Sequence, residues 1–213
     1  MSELQTTLTF TFISIFSMVN PVGMAPVFLE KTRGIADGPR HALAWRVAFS
    51  GAVRLIVAMF AGPYVMQFFG ISLPDIQVAG GLFVFYAAWQ MLTAAPPAKT
   101  DAPAATSDGS DIAFFPLTMP LTAGAGSLAI AISLSSRIQH AGTDPVAGYG
   151  GAVLGICLVF ACVALCYRYA DVIFQRIGAA GTAVLTRLTA FLLLAIGVAV
   201  TWGGLTQLIL ALH

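Results

Sequence analysis

Charge is the scarcest resource of this chain. Asp, Glu, Lys and Arg make up 9% of its 213 residues, against roughly 25% in an ordinary soluble domain. So few charged groups cannot wet the surface of a water-soluble fold. The formal net charge of +1 carries no information about nucleic acid. Cysteine is also sparse. Cys157, Cys162 and Cys166 share one apolar run, their spacing matches no zinc pattern, and they read as small packing residues. No metal or cofactor is expected.

Acid and imidazole are missing where a proton pump would need them. Glu3, Glu30, Asp37, Asp75, Asp101, Asp108, Asp111, Asp144 and Asp171 lie in loops or at the ends of apolar segments, as do His41, His140 and His213. That leaves no carboxylate or imidazole at mid-depth for a relay. HExxH and GxSxG motifs are absent too, and Ser127 and the cysteines lack a base, so an enzyme is not expected.

What remains is apolar: 58% of the chain. Six runs, at about 6–29, 44–67, 74–94, 112–134, 147–167 and 188–210, each come near the ~20 residues that cross ~30 Å of hydrocarbon as a helix. The chain reads as an all-α membrane protein. The short leader before its first run carries Glu3 and no Lys or Arg, and the run continues through Asn20-Pro21 without a clear small-residue cleavage site, so it is read as a span and not a signal peptide. Lys31, Arg33, Arg40, Arg46, Lys99, Arg168, Arg176 and Arg187 cluster around the connections after spans 1, 3 and 5, while Arg137 falls on the other side. Positive residues stay cytoplasmic, which predicts both termini outside.

Spans 1 and 4 are broken by proline and glycine, at Asn20-Pro21-Val22-Gly23-Met24-Ala25-Pro26 and at Pro116-Leu117-Thr118-Met119-Pro120-Leu121-Thr122-Ala123-Gly124-Ala125-Gly126-Ser127. Proline removes a backbone donor, and in lipid the freed groups survive only inside protein or beside a wet cavity. Residues 95–111, rich in Pro, Ala, Ser and Asp, read as a cytoplasmic linker. They divide the chain into repeats at 1–94 and 112–213. Phe69-Gly70-Ile71 before span 3 echoes Ile177-Gly178-Ala179 before span 6. Three spans per repeat force the second copy to enter from the opposite face, so the expected architecture is two inverted three-helix repeats. The break in each lies ~20 Å from its own entry face, so the two approach the membrane middle from opposite sides.

Asn20 can cap a second half-helix that starts at Pro21. Such a start turns free N–H groups and a positive dipole end toward a carboxylate or another anion. The candidate substrate-binding residues are Asn20, Pro21 and Gly23 in span 1, with Thr118, Thr122, Gly124, Gly126 and the capping-competent Ser127 in span 4. The competing reading is a pair of packing kinks. Arg54 is the one charge deep within a span, the others lying at span ends; it is either an anion partner or a structural arginine serving carbonyls freed at the breaks. Ala44, Ala48 and Ala52, and Gly151 with Gly155, form small-residue stripes. These allow close helix approach within one subunit or, as the alternative for Gly151/Gly155, in a homo-oligomer.

The stretch Asn20-Pro21-Val22-Gly23-Met24-Ala25-Pro26-Val27-Phe28 resembles the NPxGxxPxF signature of the MarC family of integral membrane proteins. Phe69-Gly70-Ile71-Ser72, Ala79-Gly80-Gly81, Gln90-Met91-Leu92 and Phe115-Pro116-Leu117-Thr118-Met119-Pro120 resemble further blocks of that family, with weaker matches at Arg187 and Gly203-Gly204. Two departures stand out: Gly124-Ala125-Gly126 replaces a GPG, and Gln77 stands where the family has Arg. The resemblance implies six spans, a location in a bacterial or archaeal plasma (inner) membrane and, for some members, transport of small neutral amino acids. The expected function is therefore a secondary carrier or exporter of a small zwitterionic solute. Passive channel and non-transporting assembly factor are the alternatives.

Overall fold

The computed structural model describes residues 2–32, 34–93, 124–140 and 144–212, and these are helical apart from short connections. The linker, the first half of the expected span 4, and with them Thr118 and Thr122, lie outside the described residues.

The first expected span is two helices. α1 (Glu3–Val19) stops because Asn20 takes a left-handed conformation, φ 45°, with its amide still bonded to the Phe16 carbonyl at 2.8 Å. α2 (Pro21–Lys31) starts at once. Proline at the first helical position lacks only an N–H that would have had no helical partner. α3 (Asp37–Phe69) runs 33 residues and ends at Gly70, φ 65°. After a two-residue joint comes α4 (Leu73–Thr93), with Asp75 accepting from the Ser72 amide at 2.8 Å. α5 (Ala125–His140) is the second half of the expected span 4. α6 (Pro145–Arg168) pairs Pro145 at its start with an Asp144 cap on the Val146 amide. α7 (Ala170–Leu210) leaves helical geometry at Gly178, φ 75° and ψ 172°, a region essentially restricted to glycine.

Among the described residues, five helical stretches are long and apolar enough to cross a membrane: Glu3–Lys31, Asp37–Phe69, Leu73–Thr93, Pro145–Arg168 and Ala180–Leu210; Gly126–Ile138 is a shorter apolar helix. Two helices overrun the expected spans. α3 begins at Asp37, before 44, and α7 is helical from Ala170, before 188. The α7 extension is set off from the long apolar helix by the kink at Gly178, whereas no proline interrupts the α3 extension beyond its first turn, so that helix continues into its basic flank. There Arg40 bonds Asp171 and Asp37, tying the start of α3 to the start of α7.

Packing runs across the chain's two halves. α4 packs most extensively on α7, α1 on α6, and α3 on both α5 and α6, while α4 also meets α5 and α2 meets α7. Glycine makes the closest crossings. A Cβ on Gly197 would sit 2.6 Å from the Phe85 amide nitrogen, and one on Gly81 would sit 2.6 Å from that of Thr201. The stripe on α6 is spent inside the chain: Gly151 lies against the Leu4 carbonyl and Gly155 against Thr11, both on α1. A homo-oligomer contact through Gly151 and Gly155 would have to displace α1.

The core joins Ile15, Val19 and Phe28 to Val47, Leu55, Met59, Ile156, Val159 and Tyr167, all at most 2% exposed. Phe28 and Tyr167 stack at 4.6 Å, between α2 and α6. The starts of α1 and α6 share one end of the bundle, where Glu3 accepts from the Asp144 amide at 3.2 Å. Gln77 and Gln207 bring the start of α4 and the end of α7 together. The Arg40–Asp171 pair marks the basic end.

Candidate solute cavity above the helix breaks

At the first break the backbone is largely satisfied from within. Asn20 Oδ1 accepts from the Gly23 amide at 3.2 Å, and the Asn20 carbonyl accepts from the Met24 amide at 3.0 Å. Asn20 is thus the expected cap. Pro21 has no donor, so among the first-turn groups only the Val22 amide lacks a partner within the helix or its cap. The expectation of several free donors at this helix start is corrected: the cap and the proline account for them. Pro21 and Gly23 are buried, and Gly23 is pressed so closely on α7 that a Cβ would meet Thr189 Oγ1 at 2.3 Å.

The second break leaves more donors. The first helical bond of α5 runs from the Leu128 amide to the Gly124 carbonyl at 3.1 Å. The amides of Ala125, Gly126 and Ser127 therefore precede the ladder and have no partner within their own helix. Ser127 does not act as the expected capping acceptor. Its hydroxyl donates back to the Gly124 carbonyl at 2.9 Å, and the residue is 2% exposed. A serine three residues inside a helix start reaches that carbonyl more readily than an amide ahead of it.

The two breaks meet. A Cβ on Gly126 would fall 1.7 Å from Met18 Cε and 3.0 Å from Val84 Cγ2, so the end of α1, the start of α5 and the middle of α4 share one layer. Directly beyond that layer opens a cavity of about 240 Å³ among α1, α4, α5 and α7. Its polar groups are Ser14, Ser133, Gln77 and Gln207, and Phe10, Ile130, Leu134 and Val200 supply apolar wall. Ala129 and Gly203 complete the lining, none of which is ionisable. Gln207 Nε2 donates to Gln77 Oε1 at 3.3 Å across the mouth. Arg137 lies over the ring of Phe10, 4.3 Å from its centroid, without joining the lining.

Depth follows from helix rise. Gln77 to Val84 is seven residues, as is Ser133 to Gly126, so the mouth stands ~10 Å above the Met18–Gly126 layer. The sequence places its candidate site at the breaks and does not single out Ser14, Gln77, Ser133 and Gln207, which line this neighbouring cavity. Gln77 had shown only as a departure from a motif, and isolated serines and glutamines near span ends carry no sequence signal. Arg54 does not line the cavity. It is half-buried on α3, and its two Nη atoms have almost no accessible surface. Among the described residues no cluster of His, Cys, Asp or Glu is arranged to hold a metal.

Discontinuous helices around a small, uncharged cavity within an all-helical apolar bundle define a polytopic α-helical membrane protein. The chain belongs to the MarC family of integral membrane proteins, whose model matches residues 5–209. It is 31% identical to the UPF0056 membrane protein YvbG of Bacillus subtilis, over 91% of this chain and 92% of that one. It is 30% identical to the UPF0056 inner membrane protein MarC of Salmonella typhimurium, over 94% and 95% respectively. A UPF0056 membrane protein of Buchnera aphidicola is 28% identical over 88% of this chain and 86% of its own. No solved structure matches.

Proposed function

We propose that the protein is a secondary carrier of a small zwitterionic solute, a neutral amino acid by preference, and not an enzyme. The observation that carries this reading is the cavity: about 240 Å³, a mixed apolar and hydrogen-bonding wall with no ionisable group among the described residues that line it, one helical turn from the contact of Met18 with Gly126. Its volume falls below the ~300–1,000 Å³ typical of drug-sized ligands. A zwitterion brings its own compensating charges, so neutral donors and acceptors can hold it without burying a protein charge. Gln77, Gln207, Ser14 and Ser133 would meet the ammonium and carboxylate during entry. The amides of Ala125, Gly126 and Ser127 would take the carboxylate at the α5 start, where the helix dipole favours negative charge.

The architecture we infer is six spans in two inverted repeats, α1–α2, α3 and α4 against residues 112–140, α6 and α7. Exchange of the halves turns the contact of span 1 with span 5 into that of span 4 with span 2. It turns span 3 on span 4 into span 6 on span 1, and maps span 3 on span 6 onto itself; each of these contacts is present. Gly70 and Gly178, both at positive φ, stand before spans 3 and 6. The basic end faces the cytoplasm of a prokaryotic cell, so the cavity opens outward and both termini lie outside.

Purified protein in liposomes, preloaded with unlabelled neutral amino acids, is expected to show saturable counterflow of labelled substrate. Flux that grows linearly with concentration and is indifferent to internal substrate indicates a channel. No flux for any member of the panel would leave the assembly-factor reading.

A further inference from the structure

We propose that Met18 is the floor of the solute cavity: it limits the size of the solute and gates access to the start of α5. The proposal rests on the carrier reading above.

Ser14 lines the cavity, and Met18 lies one turn below it on the same face of α1. On the opposite wall Ile130 lines the cavity, and Gly126 lies one turn below. Met18 therefore bridges α1 and the start of α5 one turn below the lining residues Ser14 and Ile130. It is 7% exposed, and its Cε occupies the space that any side chain at position 126 would need. The thioether end thus covers the bare backbone of the first turn of α5, whose amides have no partner within their own helix.

The residue type suits a gate. Methionine is unbranched and turns about three bonds, so its end can vacate a pocket without moving the backbone. Val84, which closes the same layer from α4, is branched and stiff at χ1. Movement at this layer therefore falls to Met18. While the thioether rests on Gly126, a solute in the cavity meets Ser14, Ser133 and the glutamine pair but not the α5 amides. Once it turns away, the carboxylate reaches those amides, and the cavity connects with the Asn20 break.

The test is modification by a small impermeant thiol reagent, applied from the cavity side in liposomes, after Cys157, Cys162 and Cys166 are replaced by alanine. Ser133→Cys lies above Met18 and is expected to react with or without it. Ser127→Cys lies beneath and is expected to react slowly. A gate that opens about 10% of the time or less limits labelling to that fraction, so Met18→Ala raises the Ser127→Cys rate about tenfold or more. Met18→Leu, similar in volume, keeps the rate low. Gly126→Ala displaces the thioether from the other side and gives the same increase, which decides the matter if Met18→Ala does not yield monodisperse protein. In counterflow, Met18→Ala also admits neutral amino acids with larger side chains than the parent accepts. Equal Ser127→Cys rates in parent and Met18→Ala overturn the gate and leave the carrier reading intact. An unchanged substrate range overturns the size limit. Failure of Ser133→Cys to react overturns the wet cavity, and the gate with it.

Discussion

Gly197→Ala tests the packing on which the cavity wall depends. The added Cβ would lie 2.6 Å from the Phe85 amide nitrogen and 2.9 Å from both the Gly81 carbonyl oxygen and Phe85 Cα. The nearest of these is about 0.8 Å short of ordinary contact, which begins near 3.4 Å. All are backbone atoms, so no rotamer change relieves them and α7 must move away from α4. A gap of ~0.5–1 Å forfeits a quarter to a half of the dispersion attraction of the atoms it separates, here at the most extensive helix contact of the fold. Overpacking of this kind costs ~1–3 kcal/mol. Alanine returns ~1 kcal/mol of helix propensity, which leaves a net loss of up to about 2 kcal/mol. Gly150→Ala on α6 is the control, because a Cβ there meets nothing within 4 Å; it is expected to be neutral or to gain up to ~1 kcal/mol. Equilibrium unfolding of both variants in mixed micelles, followed by circular dichroism, gives the difference. Gly197→Ala as stable as Gly150→Ala would refute the close α4–α7 crossing.

At the first break, Asn20→Leu removes the cap on the Gly23 amide and is expected to cost ~1–3 kcal/mol for a buried donor left unpaired, read in the same unfolding assay. Asn20→Asp keeps the acceptor but places a negative charge beside the site, so it should retain the fold and raise the counterflow KM; an unchanged KM means that the carboxylate binds elsewhere. Gln77→Leu removes one amide from the cavity mouth and is expected to raise KM while leaving stability within ~0.5 kcal/mol. Arg40→Gln removes the charge-assisted bonds to Asp171 and Asp37, each of a class worth ~1.5–3 kcal/mol, though exposure of Asp37 discounts its share; a double-mutant cycle with Asp171→Asn isolates the pair. Single cysteines at Ser2 and Gly38 should be labelled from opposite faces of intact cells, Ser2 from outside; same-face labelling contradicts the topology.

Much of the fold was legible in the residues because local rules decide it. Scarce charge and long apolar runs leave a helix bundle in lipid as the one arrangement that satisfies every peptide group. Asn20-Pro21 marks where α1 must stop and α2 must start, since cap and proline chemistry act within a few residues. Gly70 and Gly178 were legible as matching positions before spans 3 and 6, and their positive φ came only with the structure. Helix ends were less legible: apolar content marks the hydrocarbon boundary, whereas α3 continues beyond it because nothing in its backbone stops it, and a further helical stretch precedes the kink at Gly178. The cavity belonged to tertiary structure alone. Ser14, Gln77, Ser133 and Gln207 come from four helices and acquire a common role only when α1, α4, α5 and α7 are packed together. Gly151 and Gly155 were readable as a contact stripe, but their partner, α1, was not, because a small residue advertises close approach without naming what approaches. Met18 was one apolar residue among many until the fold set its thioether on Gly126, a contact between residues more than a hundred positions apart that no local pattern encodes.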